Sequence, residues 1–160
     1  MKIINQINIK PSVRGEHGLP KNSVHRVHIS KMGLEGDYNH WRKNKKHNDP
    51  DMAVLLYPVE TIDELNNEGW PVRPGDLGEN LTISGFKHCH FKPNQQYQIG
   101  DCILEISLEC DPCTNLSVLP YVGKRKINEF IKTTLKRRGW YARVINEGWV
   151  EKGNEIKQIT

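Results

Sequence analysis

The 160-residue chain has no long apolar run. Its longest, Met52 to Tyr57, is six residues, far short of the ~20 residues that cross a bilayer as a helix. The first ten residues alternate isoleucine with asparagine, glutamine and lysine, and so lack the continuous apolar region of a secretory signal. These absences predict a cytoplasmic protein that does not associate with membranes.

Cysteine is scarce, with four residues in the chain. In the cytoplasm such cysteines are expected to be thiols, metal ligands or redox groups rather than structural disulfides. Glycine-rich phosphate loops of the Rossmann and Walker types are missing, which excludes those nucleotide-binding motifs. The chain also lacks repeats, low-complexity stretches and linkers. Its length then predicts a single domain over residues 1–160.

Charge of one sign is not in large excess, since 23 basic and 19 acidic side chains give +4. Aromatic residues are not interleaved with the basic ones, as a single-strand-binding groove requires, so we expect no nucleic-acid partner. Basic residues are concentrated in two segments, residues 42–46 and 124–138. Such segments attract anions, for example a phosphorylated cofactor, although a solvated helix face is the better explanation for most of these side chains.

The hydrophobic pattern predicts many short strands and few helices. Strands are predicted over residues 2–9, 23–29, 52–56, 80–84, 97–99, 102–110, 141–145 and 155–159, and helices over residues 58–68 and 126–138. The clearest strand is 102–110, where alternate residues from Cys102 to Cys110, Leu108 among them, share an apolar face. This arrangement predicts a mainly β fold, a barrel or a sandwich, rather than a βαβ sheet.

The most distinctive motif is Cys110-Asp-Pro-Cys113, and three interpretations of it stay open. A thioredoxin-like redox pair would need a βαβ context. A zinc site would be completed by His88-Cys89-His90, although adjacent side chains in an extended segment point apart. In the third interpretation Cys110 continues the core face of its strand, and Cys113 is a single reactive thiol in a turn. Residues 114–119 would then begin a helical turn whose N–H groups stabilise the thiolate.

Two segments combine glycine with polar residues: Gly33-Leu-Glu-Gly-Asp37 and Pro74-Gly-Asp-Leu-Gly-Glu-Asn80. Glycine allows positive φ angles and close approach of the backbone to a ligand. Asp37, Asp76 and Asn80 either cap turns or contact a ligand. Glu79, between a turn and an apolar strand, is harder to explain as a turn residue.

Taken in order, these motifs resemble a MOSC domain, the module named for the carboxy-terminal part of molybdenum-cofactor sulfurases. The resemblance covers nearly the whole chain. It rests on Val24-His-Arg-Val27, Gly33–Asp37, Ala53-Val-Leu-Leu56 with the Glu60 helix, Pro74–Leu81, Ile99-Gly-Asp101, Cys110–Cys113 and Gly139-Trp-Tyr-Ala-Arg-Val144. It implies a mainly β, barrel-like MOSC fold with a few short helices. With no room for the sulfurase's pyridoxal-phosphate domain, a stand-alone MOSC protein is expected.

The resemblance also implies a site for the molybdenum cofactor, or molybdopterin. Cys113 corresponds to the cysteine thought to ligate molybdenum or to carry sulfur for the cofactor. Asp37, Glu79 and Asn80 would contact the pterin, and Arg143 with the basic helix would receive the phosphate. We expect these residues to line one cavity together with Cys113.

The chain departs from the family at two places. The histidine that often follows Gly-Asp by two residues is displaced to His40, with His47 as an alternative. Gly153-Asn154 replaces a Gly-Asp of many members.

Two classes of function follow from the resemblance. In the first, the protein is a molybdenum-dependent enzyme that reduces N-hydroxylated compounds with an electron-transfer partner. In the second, it is a non-catalytic carrier or sulfur-transfer module that works with a sulfurtransferase, with Cys113 as persulfide acceptor. A zinc-stabilised binding module is the more remote alternative.

Overall fold

Short strands dominate the chain, as its alternating pattern predicts. The computed structural model describes residues 1–38 and 40–160. Its strands are β1 (Ile3–Ile9), β2 (Asn22–Val24), β3 (Arg26–Ser30), β4 (Gly33–Leu34), β5 (Val54–Pro58), β6 (Leu81–Ser84), β7 (Gln96–Ile99), β8 (Cys102–Glu109), β9 (Trp140–Asn146), β10 (Gly148–Glu151) and β11 (Ile156–Gln158). Its helices are α1 (His40–Lys45), α2 (Val59–Asn67) and α3 (Gly123–Thr134), and short 3₁₀ helices span Pro50–Met52, His88–His90 and Thr114–Val118.

The described strands form two sheets. The larger has eight strands in the order β11-β7-β8-β9-β5-β6-β1-β2, and the smaller has three in the order β10-β3-β4. β5 is buried along its whole length. It pairs in parallel with β6 and antiparallel with β9. The continuous apolar run in β5 is therefore the signature of a central strand covered on both faces.

The mainly β class is confirmed, but the sheets do not close into the barrel that the resemblance implies. β11 and β2 are the two ends of the larger sheet. An isolated bridge between Ile3 and Glu155 links β1 to the residues before β11. β11 is three residues long, and it pairs with β7, so little chain is left to form a ladder with β1.

The helix at residues 58–68 is confirmed as α2, but the one predicted at 126–138 is shifted. α3 begins at Gly123 and ends at Thr134. Leu135 turns into extended backbone, and Lys136 has a φ of 61°. Leu135 is 54% exposed and lies outside the core. Arg137 and Arg138 therefore belong to the connection into β9 and not to the helix.

The alternation predicted for residues 102–110 holds along most of β8. Cys102, Leu104 and Ile106 are fully buried. Leu108 is the exception, 38% exposed, because the pairing of β8 with β9 shifts register after Ile106. A shift of one residue moves a side chain to the opposite face of a sheet. Leu108 therefore lines a cavity instead of the core.

No helix among the described residues is both long enough and apolar enough to cross a membrane.

Candidate functional site

The described residues enclose a large cavity with a volume of about 620 Å³. It opens where β8 ends, between the segment from Leu108 to Val118 and the loop from Glu16 to Lys21. Arg138, just before β9, and Tyr141, near the start of β9, also line it. Pockets for small ligands and cofactors commonly measure roughly 300–1,000 Å³, so this cavity has the size of such a site.

The two cysteines of the Cys110–Cys113 motif both line the cavity and have opposite environments. Cys110 is buried against Met52, Leu55 and Tyr141. Burial raises the pKa of its thiol, which favours the neutral form. Cys113 is exposed, and both cysteines are free. The predictions of an inward-facing Cys110 and a Cys113 that opens to a cleft are confirmed.

Cys113 immediately precedes the 3₁₀ helix Thr114–Val118, so the helical turn predicted after it is present. Its carbonyl oxygen accepts a hydrogen bond from the backbone N–H of Leu116, with an N···O distance of 3.2 Å. Pro112 cannot donate to a strand ladder, and it lies between the buried and the exposed cysteine. The local sequence thus ends the strand and presents the second thiol to the cavity.

Arg138 also lines the cavity, although the sequence pattern predicted it only as one of the basic residues at the end of a helix. The residue is only 6% exposed. Its Nη2 donates to the carbonyl oxygen of Leu77. Its Nε and Nη1 are buried without a hydrogen-bond partner in the described chain. The position of this arginine directly before the Gly139-Trp-Tyr strand start is the feature of the sequence that could have indicated its place at the cavity.

Gly139 fixes the position of the residue before it. Its φ is +100°, and a Cβ there would lie 2.7 Å from the carbonyl oxygen of Leu56. The backbone N–H of Gly139 donates to Nε2 of His88 at 3.0 Å. Only glycine fits this close approach of β9 to β5, and the approach holds Arg138 beside the cavity.

Asp37 and Asn80 are joined in a hydrogen-bonded network beside the cavity. Asp37 Oδ2 accepts from Lys21 Nζ at 2.7 Å and from Asn80 Nδ2 at 2.8 Å. Asn80 Oδ1 in turn accepts from the backbone N–H of Leu55 at 3.0 Å. Of this network, Lys21 lines the large cavity and Asp37 lines a smaller one of about 280 Å³. Asn80 therefore links the segment that carries Asp37 to β5.

Glu79 is fully buried and does not line the large cavity. Its Oε1 accepts from the backbone N–H of Gly75 at 2.6 Å and from the Thr82 hydroxyl at 2.9 Å. Burial raises the pKa of this carboxyl. Glu79 therefore braces the turn between Gly75 and β6.

Arg143 lies away from the cavity, contrary to the expectation of a shared site. It sits on β9, where Ala142 and Val144 alternate into the core. Its Nε donates to Asp51 Oδ1 at 2.7 Å, and its Nη1 pairs with Glu105. These ion pairs raise the pKa of Arg143. The prediction that one cavity gathers all the named residues is thus wrong for Asp37, Glu79, Asn80 and Arg143.

The zinc interpretation finds no support in the described residues, because they contain no group of three or more histidine, cysteine or acidic side chains able to hold a metal. His88 is engaged by Gly139, and its Nδ1 lies 3.9 Å from Glu109. The side chain of His40 falls outside the described residues. His47 is exposed and is not part of the cavity lining.

A family profile and a curated relative match this chain in sequence. The MOSC domain family profile matches residues 43–157. The uncharacterized protein YflK of Bacillus subtilis (strain 168) is 25% identical over 119 residues, which cover 71% of this chain and 51% of that protein. The chain thus spans about half the length of this curated relative.

Solved structures share the fold over nearly all of the chain. YiiM from Geobacillus stearothermophilus is 25% identical with a TM-score of 0.75, over 100% of this chain and 76% of its own. The YuaD protein of Bacillus subtilis is 18% identical with a TM-score of 0.79, over 97% of this chain and 93% of its own, and so shows likeness of fold alone. With the profile covering most of its residues, this chain belongs to the MOSC domain family.

Proposed function

We propose that this MOSC chain binds the molybdenum cofactor in its large cavity, with the Cys113 thiolate as metal ligand or sulfur carrier. The observation that carries the proposal is the exposed, free thiol of Cys113 on the wall of a cavity of about 620 Å³. A thiolate is a soft ligand that suits a thiophilic metal. The resemblance to sulfurase modules supports the choice of cofactor, and the volume of the cavity supports binding at this position.

The residues present fit such a group. Cys113 is a lone thiol with no metal-binding cluster around it in residues 1–38 and 40–160, which suits a metal that brings most of its ligands with it. Arg138 offers two buried donor nitrogens, Nε and Nη1, without acceptors among the described residues, and an anionic part of a ligand supplies acceptors. When bound, the cofactor would supply the redox chemistry, and the protein would bind and orient it.

For the reaction itself, we propose reduction of N-hydroxylated compounds with electrons from a partner protein. The exposure of Cys113 also suits the second role, in which this thiol exchanges sulfur with a sulfurtransferase. Turnover of a hydroxylamine with a chemical electron donor separates the two roles. Reduction supports the enzyme, whereas molybdenum retention or sulfur transfer without reduction supports the carrier.

The test of cofactor binding compares three cysteine variants expressed in a host that makes the cofactor. Cys113→Ser should lose molybdenum or transferable sulfur, because a serine hydroxyl stays neutral near pH 7. Its stability should change by no more than about 0.5 kcal/mol, since the side chain is exposed. Cys110→Ser should retain the metal but lose about 1–3 kcal/mol, because it buries a hydroxyl.

Cys89→Ser is the matched control, since Cys89 is an exposed thiol that does not line the cavity. It should leave both metal content and stability unchanged. Metal analysis by mass spectrometry and urea denaturation give the two readouts. Equal molybdenum in the wild type and in Cys113→Ser would remove Cys113 from the mechanism. Zinc as the only metal, lost equally from Cys110→Ser and Cys113→Ser, would restore the zinc interpretation.

A further inference from the structure

The buried guanidinium of Arg138 forms no ion pair with a carboxylate among the described residues. Its guanidinium is buried, donates to the carbonyl oxygen of Leu77, and leaves Nε and Nη1 without partners there. Buried charged groups are normally paired, because removing an ion from water is costly. Two unused donors on a buried charge at a cavity wall therefore indicate an acceptor that comes from outside the chain.

Burial disfavours the charged forms of four groups that interact electrostatically with Arg138. Burial raises the pKa values of the Cys110 thiol and of the Tyr57 and Tyr141 phenols. Burial also raises the pKa of the Glu79 carboxyl, which weakens it as a counter-ion. These shifts reduce the capacity of the neighbouring groups to act as counter-ions of the guanidinium.

The carboxylates that line the cavity form no hydrogen bond with Arg138 among the described residues, and two of them lie beside lysines. Glu16 is paired with Lys10, and Glu109 lies 3.6 Å from Lys136. Asp111 is exposed, and Asp49 accepts from the backbone N–H of Asp51. None is hydrogen-bonded to Arg138 in the part of the chain that the structure describes.

We infer that Arg138 forms an oxyanion subsite in the large cavity, where Nε and Nη1 receive the phosphate group of the bound ligand. A guanidinium presents its N–H groups in a fixed fork that matches phosphate oxygens. The inference deepens the proposed function and rests on it for the identity of the natural ligand. Phosphate binding at this subsite does not require molybdenum. Arg138 takes the phosphate-binding role that the sequence predicted for Arg143, because the donors of Arg143 are already bonded to Asp51 and Glu105.

The first experiment titrates the cofactor-free full-length chain with inorganic phosphate. The arginine Nε–H resonances are followed by NMR, and sodium chloride at equal ionic strength is the reference. The Arg138 resonance, identified by its loss in Arg138→Lys, should shift saturably, whereas that of Arg143 should not. A shift at Arg143 alone, or no saturable shift at Arg138, overturns the inference.

The second experiment compares variants by calorimetric titration with phosphate. Arg138→Met, which removes the fork and the charge, should weaken binding by at least about tenfold, as expected for loss of charge-assisted hydrogen bonds. Arg138→Lys should bind more weakly than wild type but better than Arg138→Met. Arg143→Met is the matched control and should bind as wild type does. Equal binding by all four proteins overturns the inference.

The outcomes separate this inference from the proposed function. Phosphate binding at Arg138 in a protein that never retains molybdenum leaves the subsite standing and removes the cofactor proposal. Molybdenum retention through Cys113 without a phosphate response at Arg138 supports the cofactor proposal and overturns the phosphate subsite. If Arg138→Met does not fold, the wild-type resonance titration still decides the question.

Discussion

Cys110 and Cys113 are the same residue type three positions apart, and the fold gives them opposite chemistry. Cys110 lies among apolar neighbours, and burial raises the pKa of its thiol. Cys113 lies beyond a proline, exposed to the cavity. Arg138 and Arg143 form a second such pair, because one has unused buried donors and the other is held by two carboxylates. At this scale, surroundings decide the role of a side chain.

Glu79 provides a test at the same scale through the pH dependence of stability. Its pKa in the folded protein is raised above the ordinary 4.5, mainly by burial. For a raised pKa, the stabilising contribution is complete below the unfolded-state value and is lost as the pH rises through the folded-state value. Glu79→Gln stays neutral at every pH. Its free energy of unfolding relative to wild type should therefore increase as the pH rises above about 4.5.

Urea denaturation across that pH range measures the difference between the two proteins. Glu155→Gln is the control, because Glu155 is exposed and pairs with Lys157 at the surface. The free energy of unfolding of Glu155→Gln relative to wild type should not increase with pH in this way. A loss of stability in Glu79→Gln that grows with pH would mean that Glu79 is ionised and neutralises Arg138.

At the scale of elements, the end of α3 decides where the basic residues point. The helix stops at Thr134, whose hydroxyl donates to the carbonyl oxygen of Phe130 at 2.8 Å. The turn through Lys136 then directs Arg137 to Glu68 and Arg138 to the cavity. A helix continued to residue 138, as the pattern predicted, would have placed both arginines on its last turn.

The end of α3 is tested by truncating Phe130 and Leu135. Phe130 is fully buried against Trp70, with ring centroids 4.8 Å apart. Phe130→Ala should lower the free energy of unfolding by about 3–5 kcal/mol. Leu135→Ala should change it by no more than about 0.5 kcal/mol, because Leu135 lies outside the core. Urea denaturation gives both values. A loss of several kcal/mol in Leu135→Ala would show that the helix continues and packs this residue.

At the scale of the whole molecule, the sheet order gathers residues that are far apart in sequence. β9 lies between β8 and β5. Its first residues thus meet both the segment after β8, which carries Cys113, and the buried strand β5. The cavity forms at this junction, where the loop from Glu16 to Lys21 covers one side. No local motif contains this arrangement.

The open sheet predicts how amide protons exchange with solvent. Amides of β9 are enclosed by ladders on both sides, whereas β2 is an end strand that pairs with β1. Edge strands open at lower free energy than central ones. In native-state hydrogen exchange, β2 and β11 should therefore exchange well before β8 and β9. Equal protection of the end strands and β9 would indicate a closed barrel in solution.

The sequence by itself determined the mainly β class, most strand positions, the family and the contrast between Cys110 and Cys113. These features follow from local patterns: alternation with period two, an apolar run, and a proline that ends a strand. The tertiary structure decided that the sheet stays open, that Leu108 leaves the core, and that Arg138 rather than Arg143 meets the cavity. Those outcomes depend on strand register, on a helix end and on pairing between residues far apart in sequence. Because local preferences leave such long-range choices open, they are settled only when the elements pack together.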